Sequence, residues 1–178
     1  ANHLFDITAG YASGSNWQDA NNQQDTKKIN IYNQMAQILV GYDVNGSVLE
    51  FDADGNILAG GSKLRDNFII PFSRLLVKDE IKKESFSMQL GISSSVDYAG
   101  ALFGDRITIS DVGAKSSYFV NSPAGEYGIL YTSSATPNAA SGYGLVFYQA
   151  GVAVVSGAVW NYNGYTDMGP GYSSGSFE

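Results

Sequence analysis

The sequence predicts a mainly β fold, an antiparallel sandwich or barrel-like domain with one packed α-helix near the N-terminus. Three observations carry that expectation. Short apolar stretches recur between Gly, Ser, Asn and Asp punctuation, the spacing of an all-β domain. Residues 85–92 alternate strictly between apolar and polar, the period of a half-buried strand. Only one segment, 26–40, repeats its apolar residues at helical spacing. The longest apolar stretch, Gly144-Leu-Val-Phe-Tyr-Gln-Ala-Gly-Val-Ala-Val-Val-Ser-Gly-Ala-Val-Trp160, reads as two strands folded about Ala150-Gly151. It contains no acid, base or metal ligand, so it is built to pair and pack.

Taken in order, residues 1–25 are rich in Gly, Ser, Asn, Gln and Asp, with Trp17 as the large anchor, and read as an extended N-terminal arm. The helix over 26–40 has Asp25 or Thr26 as N-cap and Gly41 as the left-handed terminator. Ile29, Tyr32, Ala36 and Leu39 form its apolar stripe, widened by Ile31, Met35 and Ile38. Asn45-Gly46 and Asp54-Gly55 are turn dipeptides, since positive φ costs Gly nothing and Asn or Asp little. With a short strand over 48–51 between them, two tight hairpins result. A strand over 67–72 carries Pro71, which places that residue at a sheet edge or a strand end. In 85–92, Phe86, Met88, Leu90 and Ile92 point inward. Strands over 106–110, 118–121, 127–133, 145–149 and 152–159 complete the set. The Gly-, Ser- and Tyr-rich tail, 161–178, has no period and reads as flexible or ordered by a partner. The organisation is thus an arm (1–25), a β-rich structural domain (26–160) and a tail (161–178).

At 178 residues the chain is long enough to bury roughly 70% of its unfolded surface. Charged residues are only 15%, replaced by neutral polar groups and 21 glycines, a balance suited to a protein that lies against other protein. The formal charge of -7 opposes binding to nucleic acid or an anionic membrane, and no apolar run reaches the length of a membrane helix. The start, Ala1-Asn-His-Leu-Phe, lacks the basic and apolar regions of a signal peptide and fits loss of a start Met or excision from a longer chain. Without cysteine there are no disulfides, thiolate metal sites or Cys nucleophiles.

Few residues could carry chemistry. Asp52, Asp54 and Asn56, with Asp43 and Asn45 nearby, gather hard oxygen atoms of the kind Ca²⁺ prefers, but Gly and Glu do not fall where an EF-hand loop needs them. A turn that requires Asp-Gly explains the same letters. His3 is the sole histidine, which rules against a Ser-His-Asp triad or a His-based zinc site. Glycoside hydrolysis needs only two carboxylates, for which Glu50, Asp105, Asp111 and Glu126 are available without a sequence signal pairing them. Gly60-Gly61-Ser62-Lys63 has the wrong order for a phosphate loop. The aromatic cluster Trp160, Tyr162 and Tyr165 resembles either a sugar-stacking face or a Tyr-rich protein interface.

Four segments share a further likeness: Tyr32-Asn-Gln-Met-Ala-Gln-Ile-Leu-Val-Gly41, Arg74-Leu-Leu-Val-Lys-Asp-Glu-Ile-Lys-Lys-Glu-Ser-Phe-Ser-Met88, Val120-Asn-Ser-Pro-Ala-Gly-Glu-Tyr-Gly-Ile-Leu-Tyr131 and Gly144-Leu-Val-Phe-Tyr-Gln-Ala-Gly-Val-Ala-Val-Val155. In this order they resemble a module of large virion structural proteins of T4-like marine and cyanobacterial phages, over roughly residues 26 to 160. Members of that family are much longer, and the two ends of this chain do not share the likeness. The resemblance implies a non-enzymatic head, neck or tail component, assembled in the host cytoplasm into the virion, with copies of itself and other virion proteins as partners. It implies no catalytic residues and no cofactor. Under that expectation the hairpin 145–159 lies near a contact, with Tyr148, Val152, Val154 and Trp160 as interface candidates, against a competing reading of the same residues as core. The alternative is a carbohydrate-binding adhesin domain of a host-contacting fibre, with a surface glycan as partner.

Overall fold

The computed structural model describes residues 3–19, 21–57, 60–73, 79–91, 106–132 and 142–159. The fold is mainly β: a curled antiparallel half-barrel sheet with one helix near the N-terminus. In chain order the elements are β1 (Thr8–Tyr11), α1 (Asp25–Leu39), β2 (Phe51–Asp52), β3 (Lys63–Leu64), β4 (Asp66–Pro71), β5 (Ser87–Gly91), β6 (Arg106–Ser110), β7 (Phe119–Ser122), β8 (Gly125–Thr132), β9 (Gly144–Phe147) and β10 (Val152–Ser156). The main sheet runs β1-β4-β10-β9-β8-β6-β5, with β7 also paired to β8, and β2-β3 form a separate two-stranded ribbon.

The apolar stretch 144–160 forms the centre of the sheet. β9 and β10 pair in register Val152↔Phe147 and Val154↔Leu145, and the chain reverses at Gly151 (φ 67°), whose N–H donates to the Phe147 carbonyl at 2.9 Å. Every residue of both strands is buried. Their sequences are continuously apolar because both faces are covered, which removes the alternation of a half-exposed strand. Leu145, Phe147, Val152 and Val154 face one core with Tyr32, Ala36, Leu39, Phe51, Tyr127 and Ile129. Val146, Tyr148, Ala153 and Val155 face a second, with Ile70, Ile107, Ile109, Ala114 and Leu130.

Helix α1 covers the first face. Tyr32, Ala36 and Leu39 are buried, with Ile31 and Met35 packed at the margin. Ile38 is 64% exposed, so the stripe is narrower than predicted on that side. The N-cap is Gln24, without a side-chain cap, rather than Asp25 or Thr26. The Asp25 carboxylate instead accepts hydrogen bonds from the Tyr11 hydroxyl (2.5 Å) and the Asp19 amide (3.1 Å), tying the helix start to the arm. Gly41 takes the expected left-handed conformation (φ 85°) just past the helix end.

Two strands have no counterpart in the predicted set, β1 and β3. The arm supplies β1, which pairs with β4 along Thr8↔Ile69 to Tyr11↔Asp66. Gly10 lets it lie against α1, since a Cβ there would stand 3.1 Å from the Tyr32 backbone nitrogen. β4 therefore runs inside the sheet, and Pro71 marks its end rather than an edge. Trp17 is a packing residue, edge-on to Phe68 at 5.3 Å and to Tyr11 at 6.3 Å. The hairpin at Asn45-Gly46 closes through a Tyr42–Val48 bridge, with the Asp43 carboxylate accepting from the Asn45 and Ser47 amides at 2.8 Å. The 48–51 strand shrinks to β2, paired Phe51↔Leu64 and Asp52↔Lys63. In β5, Met88 and Leu90 face the second core, joined by Phe86, as the alternation predicted, though all three are only partly buried. Ile92 lies outside the described residues.

Gly128, in the middle of β8, makes room for Tyr148: a Cβ there would stand 2.1 Å from the Tyr148 hydroxyl oxygen and 3.5 Å from the Ala114 methyl. Gly128→Ala is expected to lower stability by about 1–3 kcal/mol through overpacking. Chemical denaturation checks this, and Tyr148→Phe in the same background should recover part of the loss by removing the nearest atom.

Candidate functional site

Three of the four interface candidates lie in the core. Tyr148 and Val154 have no exposed surface and Val152 is 8% exposed, so none can meet a partner without opening the sheet. They are core because β9 and β10 are central strands covered on both faces. Trp160, like Tyr162 and Tyr165, lies outside the described residues.

Tyr148 belongs to a buried polar cluster. Its hydroxyl donates to Asp111 Oδ2 at 3.1 Å, and burial pushes its ionisation well above the usual phenol range. Asp111 also accepts from the Glu84 amide at 2.8 Å and the Phe86 amide at 3.0 Å. Three donors satisfy a carboxylate that is 1% exposed, as a buried acid requires. They also clamp the segment entering β5 onto the sheet, with Glu84 held at φ 61°. Beside this cluster the Lys83 ammonium contacts Glu126, whose hydrogen bond raises its pKa, and lies 4.3 Å from the Tyr118 ring centre.

The carboxylates considered for hydrolysis are thus separately committed: Asp111 to three donors, Glu126 to Lys83, and Glu50 to Arg65 at 3.2 Å. Asp105 lies outside the described residues. Asp111 is enclosed, whereas the Glu50 and Glu126 side chains keep 30% and 28% of their surface exposed.

The acidic loop is built on the β2-β3 ribbon. Asp52, with no exposed surface, contacts Lys63 directly across the ribbon, and Asp52 Oδ1 accepts from the Asp54 amide at 3.2 Å. Each Asp54 oxygen accepts one hydrogen bond from Asn56, from its amide at 3.1 Å and its side-chain nitrogen at 2.7 Å. Positive φ at Gly55 (73°) and Ile57 (58°) turns the loop. Tyr127 pins it by donating to the Gly55 carbonyl at 2.5 Å, and Asn121 donates to the Asn56 carbonyl at 3.2 Å. Asp52, Asp54 and Asn56 do come together, but around an ammonium group and each other's N–H donors. Among the described residues no three His, Cys, Asp or Glu side chains gather as a metal site. Burial raises the Asp52 pKa, whereas the hydrogen bond from Asp52 lowers that of Asp54.

The surface carries a feature that sequence reading missed. β1 and β5 end the main sheet, and among the described residues no strand pairs their outer edges. Next to β1, Leu4, Phe5 and Ile7 are half-exposed, Ile7 at 59%. The signal was present in the alternation Phe5, Ile7, Ala9, Tyr11, obscured by the polar composition around it. No helix among the described residues is long and apolar enough to cross a membrane. No known protein family matches the chain, and no curated protein or solved structure shows significant similarity to it.

Proposed function

We propose that this chain is a non-enzymatic structural protein of a phage virion, acting by self-assembly and by docking to neighbouring head, neck or tail proteins. The observation that supports it best is the sheet terminus at β1, which no described strand pairs on its outer side and which exposed Leu4, Phe5 and Ile7 flank. Such an edge can accept a strand from another subunit, with main-chain hydrogen bonds for affinity and apolar neighbours for burial. The low charge of the chain lowers the desolvation cost of that contact, and its acidity disfavours nucleic acid and anionic membrane as partners. The virion setting itself rests on the resemblance of the 26–160 region.

Light scattering of the purified chain across a concentration series tests the reading. A closed oligomer, or growth with concentration, is expected, and Ile7→Lys should shift it to monomer because a charge at the edge blocks pairing. A strict monomer at every concentration removes self-assembly. Retained assembly in the Ile7→Lys protein places the contact elsewhere.

A further inference from the structure

The β2-β3 ribbon carries a reactive arrangement that no part of the assembly reading uses. Lys63 and Asp52 stand directly opposite each other in the ribbon. Their side chains are in contact, the Asp52 side chain with no exposed surface and Lys63 with 15%. Phe51, Ala53, Ile57 and Leu64 bury the surroundings. A second carboxyl group, that of Asp54, lies beside the Asp52 carboxyl, and the Asp54 amide donates to Asp52 Oδ1 at 3.2 Å. Gly61 brings the facing backbone so close that a Cβ would stand 3.3 Å from both carboxyls.

We propose that Lys63 and Asp52 condense into an intramolecular isopeptide bond, with Asp54 as the proton-transfer group. As an ion pair the two are inert, because an ammonium has no lone pair and a carboxylate resists attack. Moving one proton from Lys63 Nζ to the Asp52 carboxyl makes a neutral amine and a neutral acid, the pair that a buried site favours over two charges. The Nζ lone pair then attacks Asp52 Cγ, forming the N–C bond. Asp54 takes a proton from the nitrogen and returns it to the departing carboxyl oxygen. The C–O bond breaks and one water leaves. Amine and acid become amide and water, with no oxidant, reductant or cofactor required. Fixed cross-strand contact supplies the orientation that would otherwise oppose a bimolecular condensation. Burial raises the Asp52 pKa while the hydrogen bond with Asp52 lowers that of Asp54, the directions an acid and a neighbouring base need.

Intact-mass measurement of the folded full-length chain tests this independently of any assembly. The wild-type chain is expected to be lighter than its calculated mass by one water, and a digest should yield a branched peptide joining positions 52 and 63. Lys63→Arg, which keeps the charge but offers no amine, should show the full calculated mass whether or not it folds. Asp54→Asn should form the bond about a hundredfold more slowly, the scale of lost general acid–base assistance. A wild-type chain at full mass after prolonged incubation at neutral pH overturns the proposal. So does a water loss mapped to the Lys83–Glu126 contact, or to a succinimide at Asp54-Gly55 that persists in Lys63→Arg. An Asp54→Asn chain that cross-links as fast as wild type removes the role given to Asp54.

Discussion

Replacing Phe147 with Ala is expected to cost about 3–5 kcal/mol of stability, read as a lower urea midpoint at unchanged slope. Phe147 has no exposed surface. Its ring stacks on Tyr127 at 5.1 Å and meets Phe51 at 6.4 Å, so one side chain joins β9, β8 and the β2-β3 ribbon. Directly across the ladder it faces Val152. The cavity left by Ala cannot collapse easily, because strands on both sides hold β9 in register. A loss of that size is a large part of the total stability of a typical domain, about 5–15 kcal/mol. Val120→Ala is the comparison: Val120 is 69% exposed, and its truncation should change stability by no more than about 0.5 kcal/mol. A loss below about 1 kcal/mol for Phe147→Ala would mean that its side chain is not packed between Tyr127 and Phe51.

Asp111→Ala should destabilise the chain by about 3 kcal/mol, because it strands three donors rather than removing one bond. The Glu84 and Phe86 amides and the Tyr148 hydroxyl lose their acceptor together. The expected signature is local as well as global. Hydrogen exchange should accelerate across residues 81–86, since this acceptor holds Glu84 in its left-handed conformation. Tyr148→Phe should cost less, about 1 kcal/mol, because Asp111 keeps its two amide partners. The double mutant should fall short of the sum, as it does for partners in one network. Equal exchange in wild type and Asp111→Ala would show that the segment is held by other contacts, such as the Ile81 amide on the Tyr148 carbonyl at 3.0 Å.

The elements that were legible in the sequence are those whose signal is local. The β6 range 106–110, the hairpin about Ala150-Gly151 and the helix ended by Gly41 each follow from apolar spacing or a residue that tolerates positive φ. β1 was hidden because a strand that combines Thr, Ala, Gly and Tyr has little intrinsic preference. It forms because β4 offers a ladder and α1 leaves room for Gly10. The helix cap was misplaced for a similar reason: Asp25 is a good capping residue, but Tyr11 and Asp19 occupy its carboxylate.

By itself the sequence determined a cysteine-free, charge-poor, mainly β chain with one helix, because composition and periodicity depend only on neighbours along the chain. Only the tertiary structure decided that Tyr148, Val152 and Val154 are core, because burial on both faces needs strands and a helix brought from distant positions. It also decided that Lys63 meets Asp52, and that the Asp-Gly loop encloses an ammonium group. Cross-strand register sets that meeting, and register is fixed by which side chains the whole fold buries.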